Sequence, residues 1–141
     1  MRLFAALSLA ALPAFAQQAL PVVQLNAGMH LIRAEVAADY SSRMTGLMHR
    51  ATMPPNAGML FIFDETQQQC MWMKNTLLPL SVAFIDDSGT IINVEDMAPQ
   101  TEDSHCATRP SRYALEMNRG WFAARGIKAG SRLGGIPGVK N

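Results

Sequence analysis

This chain has no surplus of either charge. Twelve Lys and Arg stand against 11 Asp and Glu, a formal net charge of +1. A surface that neutralises a phosphate backbone needs a basic excess, so nucleic acid is not an expected partner. Cysteine is scarce: only Cys70 and Cys106 occur, and no Cys-x-x-Cys spacing supports thiol–disulfide catalysis. After the first residues no apolar run reaches the roughly 18 residues that a bilayer-spanning helix needs. His-Glu-x-x-His, Gly-x-Ser-x-Gly and a phosphate loop are all missing. Asp103-Ser104-His105 names the members of a triad, but close neighbours in a chain seldom converge on one proton path. The adjacent carboxylates Asp86-Asp87 and Glu95-Asp96 would face apart on a strand and make no acid/base pair. These gaps argue against an enzyme, with a hydrolase of unrecognised site kept as a second alternative.

What is present is a globular composition. Hydrophobic residues make up 49% of the 141 and charged residues 16%, enough for one domain with a sizeable core. Ten methionines are many for this length, and most read as core filler because the thioether adapts to irregular gaps.

Residues 1–16 read as a secretory signal. Arg2 supplies a short basic start, Leu3 to Leu12 an apolar stretch, Pro13 a break, and Ala14-Phe15-Ala16 a small-x-small cleavage site. The expected product is exported and soluble, periplasmic in a Gram-negative source and otherwise secreted. In an oxidising compartment Cys70 and Cys106 favour a disulfide. Closing its loop would stabilise the fold by ~4 kcal/mol in the chain-entropy account. Two separate thiols, or a thiol metal site with His105 beside Cys106, are the alternatives.

After a linker at 17–21, the chain alternates short strands with turn clusters. Val22 to Leu25 and Leu31 to Val36 are strands separated by Asn26-Ala27-Gly28. Asp39 or Ser41 can cap a helix running through Met48, with Met44, Leu47 and Met48 on one face against the sheet. Pro54-Pro55 breaks the chain before Met59 to Phe63, a strand apolar on both faces. Asp64 to Gln69 reads as polar loop. Cys70 to Thr76 alternates evenly and predicts an inner strand. Cys70, Trp72, Lys74 and Thr76 would share one face; Met71, Met73 and Asn75 the other. Leu80 to Ile85 and Ile91 to Val94 form a hairpin through Asp86-Asp87-Ser88-Gly89. A long polar connection carries Cys106 and needs something to pin it. Tyr113, Leu115 and Met117 share a face of the next strand, and Gly120 to Arg125 a helical turn or two stopped by Gly126. The pattern predicts a mainly β chain with small helices (α+β), a compact β sandwich or barrel. The domain spans 22–133, with a flexible tail at 134–141.

The ordered blocks Gly46-Leu47-Met48-His49-Arg50, Gly58 to Phe63, Trp72-Met73-Lys74-Asn75-Thr76 and Pro79-Leu80 resemble the domain of unknown function 192 family. Ala114 to Asn118 with Gly120, and Gly126 to Gly130, are similar to that family's C-terminal pattern. The resemblance runs from about Val22 to Leu133. It implies a small, mostly β, jelly-roll-like domain, often exported, and supplies no reaction. Two positions depart from the pattern: Ser81 follows the Pro-Leu pair, and Ser131 the last Gly, where the family usually has an acidic residue.

Trp72, Lys74, Asn75, Thr76, Glu116 and Asn118 combine an aromatic ring with hydrogen-bonding groups, the mixture that suits a small pocket. The expected function is a non-catalytic binding domain for a small molecule, a glycan or a protein partner, with no cofactor. The alternative is a periplasmic copper(I)-binding protein, since thioethers and imidazole suit that ion. Its ligands would be Met71, Met73 and His105, with Met44, Met48 and His49 farther off.

Overall fold

A computed structural model describes residues 19–140. The signal read at 1–16 lies outside the described residues. Eight strands form: β1 (Val22–Ala27), β2 (His30–Ala37), β3 (Ala57–Gln67), β4 (Cys70–Met71), β5 (Leu80–Ile85), β6 (Ile91–Met97), β7 (His105–Cys106) and β8 (Ser111–Asn118). One helix, α1 (Tyr40–Thr45), and a 3-10 turn at Ala123–Arg125 complete the described elements. No helix among the described residues is long and apolar enough to cross a membrane.

Six strands make one open mixed sheet in the order β1-β2-β3-β8-β5-β6. Only β2 and β3 pair in parallel; the other neighbours are antiparallel. The mainly β, α+β class holds, and the sheet does not close into a barrel. β4 and β7 form a separate two-stranded ribbon. Its register sets Cys70 opposite Cys106, and a disulfide joins them.

Strand position explains strand composition. β8 lies between β3 and β5, and six of its eight residues are buried. Tyr113, Leu115 and Met117 join the core on one side of the sheet, with Leu25, Ile32, Leu60 and Ile85. Trp121, Phe122, Ile127, Leu133 and Ile136 from the C-terminal segment cover that side. Ala114 faces the other side, where Met59, Phe61, Val82 and Phe84 meet Leu47, Met73, Leu78 and Ala107. Two core layers therefore sandwich the sheet, as strands buried on both faces require.

The chain departs from the sequence-based expectation in four places. First, Cys70–Met71 is the only strand within 70–76. Beyond it the chain turns, with Asn75 in the left-handed region at φ 52°. The Thr76 amide donates to the Met73 carbonyl at 3.1 Å. Distant backbone groups fix this turn: the Met73 amide donates to Thr101 O (3.0 Å), Gln100 N to Thr76 O (3.0 Å) and His49 N to Asn75 O (2.9 Å). Alternation in sequence lost to hydrogen-bond partners from elsewhere.

Second, α1 stops at Thr45 instead of reaching Met48. Asp39 caps it, taking the Ser42 amide at 2.7 Å in a capping box. Gly46, at φ 47°, ends it. A Cβ there would approach Phe61 Cζ to 3.3 Å, so the chain turns where it touches the sheet. Leu47 is buried as expected, but Met44 is exposed. Third, β3 continues through the polar residues to Gln67. Its last residues are exposed, with Gln67 opposite Ser111.

Fourth, residues 134–140 are fastened rather than loose. Asn26 and Gly134 exchange two backbone hydrogen bonds (3.1 and 2.8 Å). Ile136 is buried in the core, and Val139 packs against it. Apolar side chains at 136 and 139 outweigh the loosening effect of the glycines.

Candidate functional site

The side of the sheet covered by Leu47, Met73, Leu78 and Ala107 carries the one buried acid among the described residues. Glu116 is 3% exposed. In register it faces Met59 of β3 on one side and Val82 of β5 on the other. No described residue hydrogen-bonds its carboxyl group, although no buried polar side-chain atom is sealed without a partner. Its oxygens therefore keep contact with a cleft. Burial alone pushes this carboxyl up to about 8 from its ordinary 4.5. At neutral pH Glu116 is thus mostly a neutral acid that can both donate and accept a hydrogen bond.

The cleft is built from three parts of the chain. Phe61 and Glu116 form its floor. Arg43 to Met48, the end of α1 and the turn after it, form one wall. Met71, Trp72 and Thr76 form the other. The space open to water-sized molecules is ≈ 30 Å³, room for about two waters. It suits an ion, a water or the tip of a larger molecule, and is far below the size that engulfs an organic ligand.

Each wall is anchored. Arg43 Nη1 donates to the carbonyls of Ala38 (2.6 Å) and Ile62 (3.1 Å), and Nη2 pairs with Asp64 at 3.1 Å. One guanidinium thus ties α1, and Ala38 just ahead of it, to β3. The opposite wall leaves the ribbon directly after the disulfide. Trp72 is 38% exposed, and Lys74 Nζ stands 5.2 Å from its ring centroid, in cation–π range. Thr76 is buried, its hydroxyl donating to the Lys74 carbonyl at 3.1 Å.

Of the residues expected at a site, Trp72, Thr76 and Glu116 meet on this cleft, and Lys74 covers the Trp72 ring. Asn75 serves the turn through its backbone. Asn118 is elsewhere in role: its amide donates to the carbonyls of Met53 and Pro54 (3.0 and 3.3 Å) and fastens the loop before β3. Among the copper candidates, Met71 lines the cleft, Met73 is fully buried in the core, and His105 Nδ1 lies 3.0 Å from Glu95. Arg43, Thr45, Gly46 and Phe61 line the cleft without standing out as site residues in the sequence. For Gly46 the signal was its place in the first block of the resemblance; for Arg43 no local signal exists.

Two larger hollows are less pointed. One, ≈ 620 Å³, borders Leu20, Pro21, Ser42 and the Arg50–Glu35 ion pair, whose charges already satisfy each other. The other, ≈ 550 Å³, is an open trough along β1 and β2. The second tryptophan, Trp121, is occupied structurally: its Nε1 donates to Asn56 at 3.1 Å and Arg125 lies 4.3 Å over its ring.

The two departures from the family pattern lie away from the cleft. The Ser81 hydroxyl donates to Asp96 at 2.6 Å and accepts from the Gly120 amide at 3.0 Å. Asp96 thus supplies, across the hairpin, a carboxylate beside position 81. Ser131 Oγ accepts from the Lys128 amide at 3.0 Å within its turn.

Solved structures of other proteins share this architecture. A proposed transcription regulator from Sinorhizobium meliloti 1021 is 39% identical, with a TM-score of 0.79 over 85% of this chain and 98% of the other. A protein of unknown function from Novosphingobium aromaticivorans DSM 12444 is 30% identical, with a TM-score of 0.74 over 88% of this chain and 90% of the other. No curated protein shows significant similarity. The domain of unknown function 192 family, described as "Uncharacterized ACR", matches residues 22–135, and the chain belongs to that family.

Proposed function

We propose that this is an exported binding domain without catalytic activity, and that its ligand enters the cleft over Glu116. One observation carries the reading: a carboxyl group buried between Met59 and Val82, without a hydrogen-bond partner among the described residues, opens onto a cleft. The side chain is buried while its oxygens reach the cleft, where a ligand's polar group can pair with them. The exposed Trp72 ring supplies apolar contact beside it, and Thr76 is the second polar side chain near the floor.

Export is supported by the sequence of residues 1–16 and by the disulfide, which persists in oxidising compartments. The non-catalytic reading rests on a lone carboxyl whose neighbours on the cleft are the engaged Arg43 and the hydroxyls of Thr45 and Thr76, with no histidine or second carboxylate among the lining residues to activate them. A transcription-regulator role, as proposed for the S. meliloti protein, finds little support in a chain of net charge +1.

The test is solute mapping by NMR with methionine-methyl and indole labels. Acetamide, glycerol and methylammonium serve as probes for the tip of a ligand. The expected result is shifts concentrated at Met48, Met71 and Trp72 that vanish in Glu116→Leu. Shifts spread evenly over the surface, or centred on the trough along β1, would overturn the reading.

A further inference from the structure

We propose that the cleft is a site for a soft monovalent metal ion, copper(I) or its analogue silver(I), held by the thioethers of Met48 and Met71 beside the Trp72 ring. The inference deepens the binding reading above and rests on it.

Four observations converge. Met44, Met48 and Met71 all line one cleft, although they come from a helix, a turn and the ribbon. Methionine is ordinarily core filler, and Met59, Met73, Met97 and Met117 behave that way, each fully buried. Met48 and Met71 are only partly buried and both border the cleft, Met71 also packing against the core on that side. Thioether sulfur is a soft ligand, and among biological ions it selects copper(I) rather than calcium or magnesium, which need several oxygens.

The size fits as well. The ≈ 30 Å³ of space suits one ion and excludes a whole organic molecule. Trp72 lines the same cleft, so its indole can cover a cation from one side. Glu116, buried on the floor and without a hydrogen-bond partner among the described residues, places a carboxyl oxygen beside the ion. This donor set differs from Met71, Met73 and His105. Met73 lies inside the core, and His105 is engaged by Glu95. Met48 takes the place that the sequence assigned to Met73.

The experiment is an anaerobic competition of the full chain with a chromogenic copper(I) chelator, repeated with silver(I) by methionine-methyl NMR. Expected are one equivalent of tight uptake, large shifts of the Met48 and Met71 methyls, and quenching of Trp72 emission. Met48→Leu with Met71→Leu should weaken uptake at least tenfold. Leucine nearly conserves methionine's volume, so the double variant should fold. Unaltered uptake in that variant would assign the metal to another site and overturn the proposal. No uptake, with the organic probes still shifting the same methyls, would overturn the metal inference and leave the binding reading standing. Failure of both probes would remove both.

Discussion

Glu116 stands directly across from Val82 in the sheet, with Met59 on its other flank. An acid is thus set in an apolar row, and no described residue supplies a cation or a hydrogen bond to offset its burial. Two consequences follow, one for stability and one for recognition.

The stability consequence has a definite sign. The folded carboxyl is raised to about 8 against an ordinary value of 4.5. Between those values the native chain holds a proton that the unfolded chain has released. Stability contributed by this group is therefore full below about pH 4.5 and falls as pH rises toward 8. The loss is on the order of 5 kcal/mol at most, a large share of a small domain's stability. Glu116→Gln keeps the group neutral at every pH. Denaturant melts from pH 5 to 9 should show a downward slope in the parent and a much flatter line in the variant.

The disulfide is expected to hold the cleft wall as well as the fold. Met71 and Trp72 follow Cys70 directly, and the ribbon is a separate sheet, held to β6 by Asn93 donating to the Cys106 carbonyl (3.2 Å) and by His105 beside Glu95. Cys70→Ser with Cys106→Ser should cost about 4 kcal/mol by the loop-closure account. Hydrogen exchange should show the extra loss concentrated at 70–76 and 101–107, with β3, β5 and β8 protected. Uniform loss across the sheet would mean that the ribbon is integral to the core rather than a strap over it.

Gly58 is a tight position behind the site. A Cβ there would come within 2.4 Å of the Glu116 carbonyl oxygen and 2.3 Å of Met117 Sδ. The sulfur can swing away, but the backbone oxygen cannot. Gly58→Ala should therefore destabilise by about 3 kcal/mol or more. Calorimetry would check this, and a neutral effect would mean that β3 and β8 can separate at low cost.

The strands that were legible in the sequence are those whose partners are local or whose pattern is extreme. The hairpin of β5 and β6 declares itself through Asp86-Asp87-Ser88-Gly89, where Asp86 Oδ1 accepts from the Ser88 and Thr90 amides at 2.9 and 3.0 Å. β3 declares itself through five consecutive apolar residues. The segment 70–76 misled because its conformation is decided by Thr101, Gln100 and His49, which no local pattern reveals. Glu116 was named as a candidate, but its burial was not legible. Tyr113, Leu115 and Met117 turn one way, so Glu116 should face water; only the insertion of β8 between β3 and β5, with Leu47 and Met73 above that side, buries it. The ends of α1 and the fastening of residues 134–140 depend on long-range contacts too.

Glu116 is a buried acid without a partner among the described residues, and it faces a cleft. Carboxyl carbon-13 NMR of selectively labelled Glu116 tests this most directly. The expected titration midpoint is about 8, moving back to the ordinary carboxylate range when silver(I) is added. A midpoint near 4.5 in the metal-free protein would mean a hydrated or paired carboxylate, and would contradict both the geometry of the cleft and the function drawn from it.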